Sequence, residues 1–158
     1  MKKIAIYPGT FDPITCGHID ILKKATNIFD KVILAVAQST AKQNPMFSLE
    51  ERVYLCKESV KNLKRVEVKE FNGLVVDFAK KENANFMIRG LRAVSDFEYE
   101  LSLALMNKKL NNDIETMFFV PDGKYLYLSS TIVKQVVKLG GNITDLIPPI
   151  VEKALKEK

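Results

Sequence analysis

Three observations predict a single doubly wound α/β domain of the Rossmann-like kind, with a five-stranded parallel sheet of order 3-2-1-4-5 and helices on both faces. Short apolar runs alternate with stretches of helical period from end to end, which implies parallel strands joined by right-handed crossovers. The 158 residues suit one domain with an adequate core, and no internal repeat or linker-like segment divides residues 1–158. The least ordinary polar segments fall after the first, fourth and fifth strand candidates. Doubly wound sheets bind ligands at that place, beyond the carboxyl ends of the strands where strand order reverses.

The elements follow in order. Residues 3–7 are the first strand, ended by Pro8-Gly9, and residues 17–29 the first helix, with Ile19, Leu22, Ala25 and Phe29 on one face. A strand at 31–38 precedes a helix at 48–63, opened by Ser48-Leu49-Glu50-Glu51 at capping-box spacing. Strand 65–71, helix 74–83 and strand 86–89 come next, then a helix at 94–111 in which Phe97, Leu101 and Leu105 recur every fourth residue. Strand 115–120 leads to helices at 129–139 and 148–157, the last begun by Pro148-Pro149, as suits a first helical turn.

Composition excludes several classes. Apolar runs such as Val32–Ala37 are far short of a membrane span, and Pro8-Gly9 cuts off the Lys2-Lys3 start too early for a secretory leader. A soluble, cytoplasmic protein is expected. Two cysteines, Cys16 and Cys56, provide no disulfide framework or zinc knuckle. The net charge of +5 favours anionic ligands. Of 24 basic residues only four are Arg, and two of those, Arg89 and Arg92, stand together in Ile88-Arg89-Gly90-Leu91-Arg92, which suggests forked recognition of phosphate or carboxylate.

The lone histidine, His18, ends the run from Tyr7 through Thr10-Phe11-Asp12-Pro13 to Thr15-Cys16-Gly17-His18. A strand, a turn and a helix start at that spacing bring backbone N–H groups and an imidazole to one spot, a layout for holding phosphate. With the Arg pair and Leu128-Ser129-Ser130-Thr131, the crevice suits phosphoryl or nucleotidyl transfer, where positioning and charge stabilisation supply most of the catalysis. Bringing two phosphates together needs several cations, here Arg89, Arg92, His18 and a loop lysine such as Lys42, since each like-charged pair at about 4 Å costs about 4 kcal/mol at an effective dielectric near 20. Ser129–Thr131 serves equally as a helix cap. The chain has neither a Walker-type phosphate loop nor a Gly-x-Ser-x-Gly elbow. No cluster has metal-ligand spacing, so Mg²⁺ would be held mainly by substrate phosphates. The acids Asp96, Glu98 and Glu100 are accounted for as first-turn helix residues. Cys16, at a helix N-terminus in a cationic pocket, is expected to favour thiolate and to be the more reactive thiol, with Cys56 an ordinary or buried one.

The segments Tyr7–His18, Phe47-Ser48-Leu49-Glu50-Glu51-Arg52, Ile88–Glu100 and Ser129-Ser130-Thr131 together resemble the bacterial phosphopantetheine adenylyltransferases. These belong to the Thr/His-x-Gly-His nucleotidylyltransferase superfamily. The resemblance spans nearly the whole chain, and the long Arg89–Glu100 segment is its most specific part. It implies transfer of AMP from ATP to 4′-phosphopantetheine, giving dephospho-coenzyme A and pyrophosphate by direct in-line attack, with Mg²⁺ as cofactor. Catalytic roles fall to His18, Lys42 and Arg92; Thr10, Lys42, Leu74, Val75 and Arg89 would hold the acceptor. The ATP site would comprise Thr10, Phe11 through its backbone, His18, Gly90, Leu91, Arg92 and Glu100, covered by Tyr125, Leu126, Tyr127, Leu128, Ser129, Ser130 and Thr131. A homohexamer and feedback by coenzyme A are also implied, with no nucleic-acid or membrane partner.

The chain departs from the family pattern at the loop after Lys42, one residue longer than in some relatives, at Val75, often Met, and at Gln135, often Glu. Competing readings are a nucleotidylyltransferase acting on glycerol 3-phosphate with CTP or on nicotinamide mononucleotide with ATP, and a non-catalytic nucleotide or RNA binder. RNA binding predicts basic residues interleaved with exposed aromatics, whereas here the lysines are scattered and the phenylalanines fall mostly at core-like positions.

Overall fold

The computed structural model describes residues 1–38, 44–93 and 97–158. Its strands are β1 (Ile4–Gly9), β2 (Lys31–Ala37), β3 (Val66–Phe71), β4 (Phe86–Gly90) and β5 (Glu115–Phe119); its helices are α1 (Cys16–Thr26), α2 (Leu49–Val60), α3 (Val75–Lys81), α4 (Phe97–Leu110), α5 (Ser130–Lys138) and α6 (Pro149–Lys156). The sheet is parallel throughout, in the order β3-β2-β1-β4-β5, as the sequence predicts. Strand order reverses between β1 and β4, whose last residues are Gly9 and Gly90.

Alternation along the strands divides the core in two. Ala5, Tyr7, Val32, Leu34, Val36 and Ile88 face one layer with Leu22 and Ala25 of α1, Phe29 just past its end, Leu55 and Cys56 of α2, Val133 of α5 and Val151 of α6. Ile6, Ile33 and Met87 face a smaller layer with Val76 and Ala79 of α3. Local rules hold where they could be read: Ser48 and Glu51 form the capping box of α2, and Pro149 begins α6.

Helix α4 carries its apolar stripe on the outside. Its stripe of Phe97, Leu101 and Leu105 turns outward, at 51%, 42% and 63% exposed, with Met106 and Leu110 beside it. Among its described residues only Glu100 is buried. Periodicity identified the helix but not the side it presents to the sheet.

Candidate active site

A crevice of about 300 Å³ opens at the reversal of strand order, between the ends of β1 and β4 and the N-termini of α1 and α5. Two glycines let the backbones come close enough to build it. A Cβ at Gly9 would stand 3.0 Å from the Phe11 ring, and one at Gly90 would stand 2.4 Å from Ile21 Cδ1. Phe11 adopts φ 50°, a left-handed conformation that costs a non-glycine residue free energy and persists only where surroundings enforce it. The enforcement is visible: its ring is buried edge-on to Tyr7 and His18, at 5.5 and 5.0 Å between centroids. Phe11 can therefore reach a ligand only through its backbone.

His18 is built into the cap of α1. Thr15 is the N-cap, its hydroxyl accepting from the His18 N–H at 3.4 Å while the Thr15 N–H donates to His18 Nδ1 at 3.0 Å. The usual carboxylate of a capping box is replaced by imidazole. Because Nδ1 accepts, the neutral ring carries its proton on Nε2. Surrounding protein, and then the Arg92 and Arg89 charges, push the His18 pKa down to about 3. This corrects the expectation of a cation: His18 in the free protein is a neutral, oriented hydrogen-bond donor.

Arg89 is likewise committed. Its Nε and Nη2 donate to the two oxygens of Glu100, at 2.9 and 2.7 Å, a bidentate fork, and Nη1 donates to the Pro8 carbonyl at 3.4 Å. Burial works against the Arg89 charge, but Glu100 more than restores it and holds the pKa above the ordinary guanidinium value. Arg92 donates from Nη1 to the Leu128 carbonyl at 2.9 Å, fastening the β5–α5 connection across the crevice. Ser129 caps α5 through the Ile132 N–H, and the Ser130 hydroxyl donates to the Pro13 carbonyl at 2.7 Å.

On the far side of the Arg89–Glu100 pair lies a second cavity of about 250 Å³, whose walls include Ala37, Phe71, Val75, Leu103, Ala104 and Asn107. Both cavities are lined by Pro8, Gly9, Thr10, Arg89 and Glu100. Thr116 also lines the second, and its buried hydroxyl has no hydrogen-bond partner among the described residues.

Of the residues expected at the site, the structure brings Thr10, Phe11, His18, Arg89, Gly90, Arg92, Glu100 and Leu128–Thr131 to the crevice and Val75 to the second cavity. Tyr125, Leu126 and Tyr127 lie outside the crevice lining, as does Leu91, whose N–H joins the Phe119 carbonyl. Leu74, the exposed N-cap of α3, lines neither cavity. Lys42 and Asp96 lie outside the described residues.

The thiolate expected at Cys16 is corrected, while Cys56 is buried as expected. Cys16 is not in the crevice lining, and burial pushes its thiol pKa up despite the Lys23 and Lys124 charges that pull it down. Cys56 is buried and pushed up to about 12. Neither is an activated thiolate.

Sequence reasoning passed over Asp12. Its carboxylate accepts from the Met46 and Phe47 N–H groups, both at 2.9 Å, and from Lys134 Nζ at 2.9 Å. Burial alone would raise its pKa, but Lys134 and the two N–H groups together hold it below the carboxylate range. Among the described residues no group of His, Cys, Asp and Glu could hold a metal, and the two carboxylates lining the crevice, Asp12 and Glu100, are both engaged by cations.

Comparison with known proteins follows the same lines. The profile of the cytidylyltransferase-like family matches residues 6–136. The phosphopantetheine adenylyltransferase of Thermodesulfovibrio yellowstonii is 51% identical over 158 residues, covering 100% of this chain and 98% of that protein. That of Caldanaerobacter subterraneus subsp. tengcongensis is 53% identical over 156 residues, covering 99% and 97%. A structure assigned to a nicotinate-nucleotide adenylyltransferase of Vibrio parahaemolyticus superposes with a TM-score of 0.75 over 99% of this chain and 93% of that one. At 19% identity it speaks for the fold alone.

Proposed function

The chain belongs to the phosphopantetheine adenylyltransferase family of cytidylyltransferase-like proteins, and we propose that its two adjoining cavities hold the two substrates of that reaction on either side of Thr10 and Arg89. The enzyme transfers the adenylyl group of ATP to 4′-phosphopantetheine, giving dephospho-coenzyme A and pyrophosphate in coenzyme A biosynthesis. The shared wall carries the reading. ATP occupies the crevice under His18 and Arg92, the pantetheine arm the second cavity, and the reacting phosphates meet at Thr10 and Arg89.

An oxygen of the pantetheine phosphate attacks the α-phosphorus directly. The bond to the oxygen bridging to the β-phosphate breaks, and its electron pair leaves with pyrophosphate. His18 donates from Nε2 to the α-phosphate oxygens as charge builds there, which a fixed neutral donor does without prior reorganisation. Thr10 and Lys42 orient the attacking phosphate; Arg92 steadies the nucleotide phosphates, and Leu128–Thr131 cover the nucleotide. The free Thr116 hydroxyl suits the amides of the pantetheine arm. Mg²⁺ in this reading would be carried on the ATP phosphates and would offset their charge, because Asp12 and Glu100 are engaged by cations of the chain.

Two further assignments rest on surfaces. The outward apolar stripe of α4 supports assembly with copies of the same chain, as a homohexamer, and light scattering tests it. Coenzyme A shares the pantetheine arm, which supports its binding at the same cavities as a feedback inhibitor. Among the described residues no helix is long and apolar enough to cross a membrane; the cytoplasmic location is part of the proposal. The deciding experiment is pyrophosphate release from ATP or CTP with 4′-phosphopantetheine, nicotinamide mononucleotide or glycerol 3-phosphate. Turnover is expected with ATP and 4′-phosphopantetheine alone; preference for either other acceptor would overturn the reading.

A further inference from the structure

Arg52 of α2 is 2% exposed, yet no carboxylate among the described residues lies within ion-pair distance of it. Three backbone carbonyls satisfy it instead. Nε donates to Phe47 at 3.2 Å, and Nη1 donates to Thr10 at 2.9 Å and to Ala37 at 2.8 Å. An unpaired buried cation is costly, and with Leu55 and Cys56 at i+3 and i+4 the position lies on the core face of α2, where an apolar side chain would pack without that cost. The carbonyls it takes are distinctive. Ala37 ends β2, Phe47 precedes α2, and Thr10 lies just past the end of β1.

The Thr10 carbonyl fixes more than itself. A trans peptide is planar, with its C=O and N–H pointing in opposite directions. Holding the Thr10 oxygen toward Arg52 therefore turns the Phe11 N–H away from Arg52, and Phe11 is a residue of the crevice wall. That N–H has no hydrogen-bond partner among the described residues. Arg52 itself lines neither cavity.

We propose that Arg52 is a positioning residue for nucleotide recognition: from within the core it locks the Thr10–Phe11 peptide so that the Phe11 N–H stands ready for a phosphate oxygen of ATP. This rests on the reading of the crevice as the ATP site. It separates Arg52 from a merely structural residue, because what it sets is the recognition of phosphate and not of adenosine.

The experiment compares equilibrium affinities for ATP and for adenosine in the full-length protein and three variants, below the onset of thermal unfolding. Arg52→Met removes all three donations, Arg52→Lys restores a shorter cation, and Val60→Ala destabilises the remote end of α2 as a control. The parent is expected to prefer ATP strongly. That preference should shrink tenfold or more in Arg52→Met, less in Arg52→Lys, and stay within twofold in Val60→Ala. If Arg52→Met does not fold, Arg52→Lys carries the comparison, with a shrinkage of at least threefold expected. A folded Arg52 variant with the parental preference would overturn the assignment, and so would an equal loss in Val60→Ala. A parent that binds adenosine as tightly as ATP would sink the underlying reading of the crevice, an outcome distinct from either.

Discussion

The two connections that close the crevice are fastened by similar polar bonds in opposite surroundings. Residues 10–15, between β1 and α1, are held mainly by side chains that hardly see water, Arg52 on the Thr10 carbonyl and Asp12 on the Met46 and Phe47 N–H groups, with the half-buried Ser130 hydroxyl on the Pro13 carbonyl. Residues 120–122, between β5 and α5, are held at the surface. There Lys24 Nζ donates to Asp20, to the Val120 carbonyl and to Asp122, all at 2.8–3.0 Å, with side chains 34% exposed at Lys24 and 57% at Asp122. Breaking one partner of a buried charge pair costs about 3–5 kcal/mol, whereas an exposed pair contributes about 0–1 kcal/mol. The difference matches what each connection does. The first places Thr10 and Phe11 against the reacting phosphates, where displacements of about 1 Å can cost a hundredfold in rate; the second borders the nucleotide cover, which must let a ligand in and out.

Substitutions should separate the two connections, from the largest effect to the smallest. His18 stands where the two connections meet. His18→Ala should lower kcat by about 10²–10³-fold with ATP affinity little changed, because its donation is strongest in the transition state. A normal kcat with a raised KM would make His18 a simple binding group.

Next comes the buried connection. Asp12→Asn leaves Lys134 without its partner and two N–H groups sharing one acceptor, so a loss of about 2–4 kcal/mol is expected. The pH dependence has a definite sign. Asp12 has a lowered folded pKa, so its stabilisation is present above the ordinary value of 3.8 and is lost as pH falls through the folded value. Urea denaturation between pH 3 and 7 should show that acid limb in the parent and a shallower one in Asp12→Asn. Equal limbs would mean that Asp12 contributes no more than a surface acid.

The arginine pair separates the two substrates. Arg89→Lys keeps the charge but loses the fork to Glu100, and should raise the KM for the acceptor about tenfold. Arg92→Lys should instead weaken ATP, and calorimetric titration of each ligand into each variant checks the division. Losses shared equally by both ligands would make the pair one undivided positive patch. The smallest effect belongs to the surface connection: Lys24→Ala should cost under about 1 kcal/mol, with that difference fading toward 1 M salt. A loss as large as that of Asp12→Asn would erase the contrast.

What the sequence made legible follows the same division. Strand order, both ends of the crevice and the caps at Ser48 and Ser129 could be read because they depend on local pattern and on a topological rule. The partners of buried charges could not, since Asp12 meets Lys134 across 122 positions and Arg52 meets Thr10 across 42. Arg52 did leave a trace, as a cation on the core face of α2 beside Leu55 and Cys56. Cys16 misled because a helix N-terminus and nearby lysines argue for thiolate, while burial, which only the fold determines, outweighs them. The His18 charge was misjudged for a related reason: enclosure and the two arginines that make the site attractive to phosphate also hold the imidazole neutral.

The neutral, oriented imidazole is the centre of this account, and the chain has only one histidine, so it can be watched alone. The direct test is nitrogen-15 NMR of the His18 ring in the unliganded enzyme from pH 5 to 8. The shifts should stay flat across that range and report the tautomer protonated at Nε2, with Nδ1 as the acceptor from Thr15. A titration centred near the ordinary histidine value of 6.5, or a proton on Nδ1, would contradict it.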